Sequence, residues 1–135
     1  MTDVLTPEQR RRNMASIRGR DTRPEKIVRS MLHRNGYRYR LHRKDLPGKP
    51  DVVSPKLRKI IFVHGCFWHM HRCKYGKATP ATNKEFWRTK RRSNVRRDTR
   101  NLAALRRARW KVSVVWECET RDPQRLLNRL TRFLC

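Results

Sequence analysis

The run Lys59-Ile60-Ile61-Phe62-Val63-His64-Gly65-Cys66-Phe67-Trp68-His69-Met70-His71-Arg72-Cys73 changes character at Gly65. Its first half is a short apolar stretch bounded by a basic turn and a glycine, the pattern of a buried strand. Its second half interleaves two cysteines and two histidines with Phe67 and Trp68, too rich in metal-type ligands for an ordinary loop. Just upstream, Leu46-Pro47-Gly48-Lys49-Pro50-Asp51-Val52-Val53 is a Pro/Gly turn that delivers an aspartate to the start of another β-branched run. Two strands and a ligand-bearing loop therefore form the centre of the chain.

Working outward, Ser54-Pro55-Lys56-Leu57-Arg58 joins the two strands, and residues 37–41, which alternate with period two, add a third to an antiparallel meander. A long basic helix is expected from Lys84 to Arg107, with Phe86 and Trp87 near its start. Residues 110–116 then form a further strand, and a connection of that length suits a parallel crossover. Asp122-Pro123 opens a last helix through Leu126, Leu127, Leu130 and Phe133. On the N-terminal side, Asp21-Thr22-Arg23-Pro24-Glu25 starts a helix with Ile27, Val28, Met31 and Leu32 on one face, which stops at Asn35-Gly36. Before it, Thr6-Pro7-Glu8 opens a basic amphipathic segment whose few apolar residues include Met14 and Ile17. The fold class is α/β, a single domain with a mixed sheet flanked by helices over residues 21–135, preceded by a basic arm over residues 1–20.

The chain has 135 residues, and its 36 Lys and Arg against 11 Asp and Glu give a formal charge of +25. That charge repels itself unless a polyanion neutralises it, so nucleic acid is the expected partner. The alternative is a merely well-solvated basic surface, but small domains ordinarily carry a net charge of only about 2–8. No apolar run approaches the ~20 residues of a membrane span, and no signal-like segment opens the chain, so a cytoplasmic protein without a membrane partner is expected.

Acids this scarce can each be asked their purpose. Asp51 at a strand entry is placed to bind Mg²⁺ and orient a water at a phosphodiester; the competing reading is a turn-capping aspartate. Glu25 completes a Thr22-x-x-Glu25 capping-box pattern and says little by itself. Cys66, Cys73 and Cys118, with either His69 or His71, would supply a closed Cys₃His zinc site, against the alternative of isolated buried thiols. His64 and His69 are candidates for proton transfer or, equally, for structural or ligand histidines. Phe67, Trp68 and Trp87 are either core or wedges that stack on bases.

Taken in order, Arg12-Asn13-Met14, Arg20-Asp21-Thr22, Glu25, Leu46-Pro47-Gly48-Lys49-Pro50-Asp51, the decapeptide HGCFWHxHxC from His64 to Cys73, Pro80-Ala81-Thr82, Glu85-Phe86-Trp87, Asn94-Val95-x-x-Asp98 and Val115-Trp116-Glu117-Cys118 resemble the very short patch repair DNA mismatch endonucleases of bacteria. The resemblance covers nearly the whole chain. It implies a core similar to that of the restriction endonucleases, a structural zinc, and a nick beside the thymine of a T:G mismatch left by deamination of 5-methylcytosine. It further implies Mg²⁺ on Asp51, proton transfer by His69, and assistance from Glu25 and His64 around the scissile phosphate. Zinc falls to Cys66, His71, Cys73 and Cys118. Phe67, Trp68 and Trp87 become major-groove-side wedges, Met14 enters from the minor groove, and Lys90 and Asn94 contact DNA. A monomer acting on mismatched duplex, with mismatch-repair proteins as further partners, completes the expectation.

One position departs from the wider restriction-endonuclease pattern. Where a second acid and a lysine follow on the next strand, this chain reads Phe62-Val63-His64, so a Val63 ligand to Mg²⁺ would be its backbone carbonyl. The rival class is a zinc-stabilised basic nucleic-acid-binding protein without catalysis.

Overall fold

A computed structural model describes residues 22–41, 43–74, 76–77 and 82–135. The expected N-terminal arm, with Met14, lies outside the described residues. Among these, a four-stranded sheet and three α-helices follow one another as α1 (Arg23–Arg34), β1 (Arg40–Leu41), β2 (Val52–Ser54), β3 (Lys59–His64), α2 (Lys84–Arg107), β4 (Lys111–Trp116) and α3 (Pro123–Leu134). A 3₁₀ turn, Glu117–Arg121, links β4 to α3.

The sheet order is β1-β2-β3-β4. β1, β2 and β3 form the antiparallel meander, and β3 pairs with β4 in parallel, His64 standing opposite Trp116. The mixed sheet and the α2 crossover agree with the sequence reading. The first strand is shorter than the alternation of residues 37–41 implied, because Tyr39 donates its hydroxyl hydrogen to the Arg29 carbonyl at 3.0 Å and both tyrosines pack on the α1 side. Only Arg40 and Leu41 are left to pair with the three-residue β2.

Alternation along β3 divides its side chains between two cores, as a period of two requires. Ile61, with Val52 and Val115, meets Val28, Met31 and Leu32 of α1 and Leu126, Leu130 and Leu134 of α3. Ile60 and Phe62, with Val53, meet Leu105 and Trp110 on the side covered by α2. The result is one sheet between two helical layers. No helix of the described residues is long and apolar enough to cross a membrane.

Two local devices set the site. Thr22 caps α1 by accepting the Glu25 N–H at 3.4 Å, as the capping pattern predicted. Gly48 turns the chain into Pro50 and Asp51 with φ +78°, and a Cβ there would stand 3.0 Å from Asn101 Nδ2 and 3.1 Å from the Phe62 ring. Only glycine meets both demands.

Candidate active site and metal cluster

β3 runs past the end of β2, since pairing stops at Val52↔Ile61. The carboxylate of Asp51 occupies the edge so exposed, and the Val63 N–H donates to Asp51 Oδ2 at 2.7 Å. In a strand the N–H and C=O of one residue lie on the same edge, so the Val63 carbonyl is directed to the Asp51 side as well. Burial holds the Asp51 carboxyl well above the usual carboxylate range; the Val63 N–H opposes that shift, while the neighbouring Glu25 carboxyl adds to it. Two carboxyls pressed together in a buried place take up a proton or a cation. The pair therefore fits a divalent metal by the chemistry of its donors.

Residues 65–73 fold back on themselves, with His69 N–H donating to the Gly65 carbonyl at 3.2 Å and His71 N–H to the Cys66 carbonyl at 3.0 Å. The fold sorts the side chains to two sides. On one, ligand atoms of Cys66, His71, Cys73 and Cys118 all lie within 4.8 Å of one another. Cys118 reaches them from the 3₁₀ turn, its N–H donating to Cys66 Sγ at 3.3 Å and its Sγ standing 3.5 Å from His71 Nδ1. The His71 ring is stacked on Trp116, with centroids 4.2 Å apart. Burial pushes the Cys66 and Cys118 thiols up, so a cation is what would ionise them. Three soft sulfurs and one imidazole suit zinc. Sequence reading left His69 and His71 as alternatives from the residues alone, and it is His71 that joins the cluster.

His69 faces the other way. Its Nδ1 lies 2.5 Å from Asp98 Oδ2, and its ring is stacked on His64 with centroids 3.9 Å apart and planes 6° from parallel. A carboxylate only accepts, so Nδ1 carries the hydrogen and Nε2 of a neutral His69 keeps its lone pair. Burial lowers the pKa of His64 to about 4, helped by His69 and opposed by Asp98. His64 is thus neutral near pH 7, and its Nδ1 is buried without a hydrogen-bond partner among the described residues. His64, His69 and Asp98 also lie close enough to suggest a metal. Imidazole lone pairs lie in the ring plane, however, and two parallel stacked rings do not converge on one ion.

One face of α2 holds this loop. Arg91, buried, donates through Nε to the Phe67 carbonyl at 2.7 Å and through NH2 to the Gly76 carbonyl, and its guanidinium covers the Phe67 ring at 4.3 Å. Asn94 donates to the Trp68 carbonyl at 3.1 Å, and Asp98 takes His69 one turn on. Residues 87, 91, 94 and 98 recur at helical spacing, so the run of base in α2 hides an ordered stripe. Asp98 is the functional residue given no role at sequence level; its signal is an acid on that stripe in a helix otherwise crowded with Lys and Arg. A further unforeseen tie is Arg129, which grips Glu119 at 2.9 and 3.0 Å and so fastens the turn carrying Cys118 to α3.

Asp51, Glu25, Val63, His64, His69 and Asp98 line one open cleft of about 2120 Å³. That exceeds the 300–1,000 Å³ typical of small-molecule pockets. Phe67, Trp68 and Trp87 form its aromatic wall, with ring centroids 5.4–5.9 Å apart and edge-on geometry. Phe86, 56% exposed, extends that wall beside Trp87, and Lys90 Nζ lies 5.8 Å from its ring. Lys90 and Asn94 line the cleft as well. Cys135 is exposed at the chain end and takes no part in the cluster.

The family model described as DNA mismatch endonuclease Vsr matches residues 2–75. The chain is 52% identical over 134 residues to Type II nicking enzyme V.XorIIP of Xanthomonas oryzae pv. oryzae, covering 99% of this chain and 98% of that protein. It is 41% identical over 140 residues to DNA mismatch endonuclease Vsr of Escherichia coli K12, covering 100% of this chain and 89% of that protein. A cleft pairing two adjoining acids with a histidine–aspartate couple, in a chain with these relatives, defines a DNA endonuclease. The chain belongs to the Vsr family of DNA mismatch endonucleases.

Proposed function

We propose that the chain nicks one strand of duplex DNA beside the thymine of a T:G mismatch, in the cytoplasm, with Mg²⁺ as catalytic cofactor and zinc as a structural one. The observation that carries the reading is the meeting, in one cleft, of half-buried Asp51 and buried Glu25 with a His69 whose tautomer is set by Asp98.

Asp51, with the Val63 carbonyl and Glu25 beside it, would hold Mg²⁺, which when bound supplies Lewis-acid stabilisation of a phosphoryl oxygen. Asp98 keeps the Nδ1 hydrogen of His69 in place, so Nε2 accepts a proton from the attacking water. Neutral His64, stacked beneath His69, packs that ring without adding a like charge. Phe67, Trp68 and Trp87 wedge the base stack, and Lys90 and Asn94 meet the DNA from the same wall. Cys66, His71, Cys73 and Cys118 would bind zinc and pin the loop from behind. The arm over residues 1–20, with Met14, adds a contact from the minor groove, and the protein acts as a monomer ahead of other mismatch-repair proteins.

The test is a nicking assay on a 32-base-pair duplex, about three helical turns, carrying T:G or C:G at one position, with Mg²⁺ or with EDTA. A single nick in the thymine strand of the T:G duplex, lost with EDTA, is expected. Tight binding to both duplexes with no nick under any metal would support the non-catalytic alternative.

A further inference from the structure

Helix α2 separates the active-site cleft from a second, smaller pocket of about 370 Å³, and Trp87 lines both. The wall of this second pocket holds Arg72, Lys77, Lys84, Arg88, Arg91 and Arg92 and not one acidic side chain. Arg91 is spent on the carbonyls of Phe67 and Gly76. The others are exposed, and three of them, Lys84, Arg88 and Arg92, stand at successive i, i+4 positions. Like charges at that spacing repel and weaken a helix. Within this row Arg88 pairs with Glu85 at 3.4 Å, and that carboxylate is itself almost fully exposed. Arg72, Lys77, Lys84 and Arg92 have no ion pair among the described residues.

This row lines a concavity that shares Trp87 with the active-site cleft. At 1.5 Å per residue the row from Lys84 to Arg92 extends about 12 Å, the axial length of three to four base pairs at 3.4 Å each. A duplex opened at the aromatic wall has backbone on both sides of Trp87, one side in the cleft. We propose that the second pocket seats phosphodiesters of that same duplex on the far side of Trp87, with Arg88 and Arg92 as its principal donors. The proposal rests on the reading of the chain as a DNA endonuclease and deepens it. Phosphate contacts carry no sequence information but fix register and orientation, so this grip sets how far from the aromatic wall the strand presents a phosphate to Asp51.

The test uses the full chain with the double substitution Arg88→Gln and Arg92→Gln, and two series of T:G duplexes trimmed stepwise from one side or the other of the mismatch. Affinity is measured by competition at several salt concentrations. On the longest duplex the slope of log affinity against log salt should fall by about 2, one unit per lost phosphate contact. Trimming from one side only should abolish the difference between variant and wild type. Arg88→Lys with Arg92→Lys should restore the slope, and melting of the Gln variant should not fall, since repulsion along α2 is relieved. Equal deficits at every duplex length, no deficit at any, or a slope that Lys fails to restore would overturn the proposal. It would fail equally if the Gln variant lost only the acceleration of dissociation by added competitor DNA, which would place a second duplex in the pocket. Wild type that binds these duplexes without nicking them would refute the catalytic reading and leave the binding series decisive for the pocket.

Discussion

Asp98 Oδ2 lies 2.5 Å from His69 Nδ1, so the ring from the loop is oriented by an acid from helix α2. Asp98→Ala removes the group that fixes the tautomer and should lower the single-turnover nicking rate about 10²–10⁴-fold, the usual worth of general acid–base help. Binding to T:G duplex should stay within a few-fold. A variant that nicks at the wild-type rate would remove Asp98 from the mechanism.

Asp51→Ala should abolish nicking while binding is little changed, because Lys and Arg contacts to phosphate supply most of the affinity. The Val63 amide loses its acceptor in the same variant, so a modest drop in melting temperature is expected as well. Glu25→Gln keeps the shape of the pair and removes one charge, and should raise the Mg²⁺ concentration needed for half-maximal rate. An unchanged metal requirement would place Glu25 outside the metal shell.

The purified protein should contain about one zinc per chain by atomic absorption, and Cys73→Ser should reduce that content and the melting temperature together. Each 1 kcal/mol lost should lower the melting temperature by roughly 4 °C in a chain of this size. His71→Ala should follow Cys73→Ser, whereas His69→Ala should keep its zinc and lose its chemistry. Cys135→Ser should change neither. Zinc retained in His71→Ala and lost in His69→Ala would exchange the two roles.

Trp68 is half-buried, packed edge-on against Phe67 and Trp87. Stacking on a base is worth about 1–3 kcal/mol per contact, or roughly 5- to 150-fold. Trp68→Ala should therefore lose much of the preference for T:G over C:G, in competition at fixed salt, while the salt dependence of binding remains. Should the preference survive while folded stability collapses, Trp68 is a core residue and the wedge lies with Phe67, Trp87 or Phe86.

The chain order of strands and helices was legible because each signal was local. Thr22 with Pro24 opened α1, Asn35-Gly36 closed it, and the apolar run Ile60–Val63, bounded by a basic turn and a glycine, read as a buried strand. The extent of β1 was not legible, since alternation at Tyr37 and Tyr39 reports burial on α1 as readily as pairing. In the site, Cys66, Cys73 and Cys118 announced themselves by residue type, but the division of labour between His69 and His71 needed a loop that folds back. Arg91 and Arg129 escaped because, in a sequence with 36 Lys and Arg, no single basic residue stands out until its partner is placed beside it, and Asp98, though a scarce acid, shows its role only once His69 is placed beside it. The partners of Asp98, Arg91 and Arg129, namely His69, Phe67 and Glu119, are 29, 24 and 10 residues away along the chain, beyond any local pattern.

The backfolded loop makes its length matter more than its composition. Cys66 and His71 point to one side of it, and Phe67, Trp68 and His69 are presented to the other, within a span of six residues anchored at both ends. A substitution there removes one group, whereas a single inserted residue rotates the register, carrying histidines and aromatics to the wrong sides at once. Deletion and insertion scanning should therefore find in residues 66–71 a segment that accepts no change of length, even at positions where side chains can be exchanged.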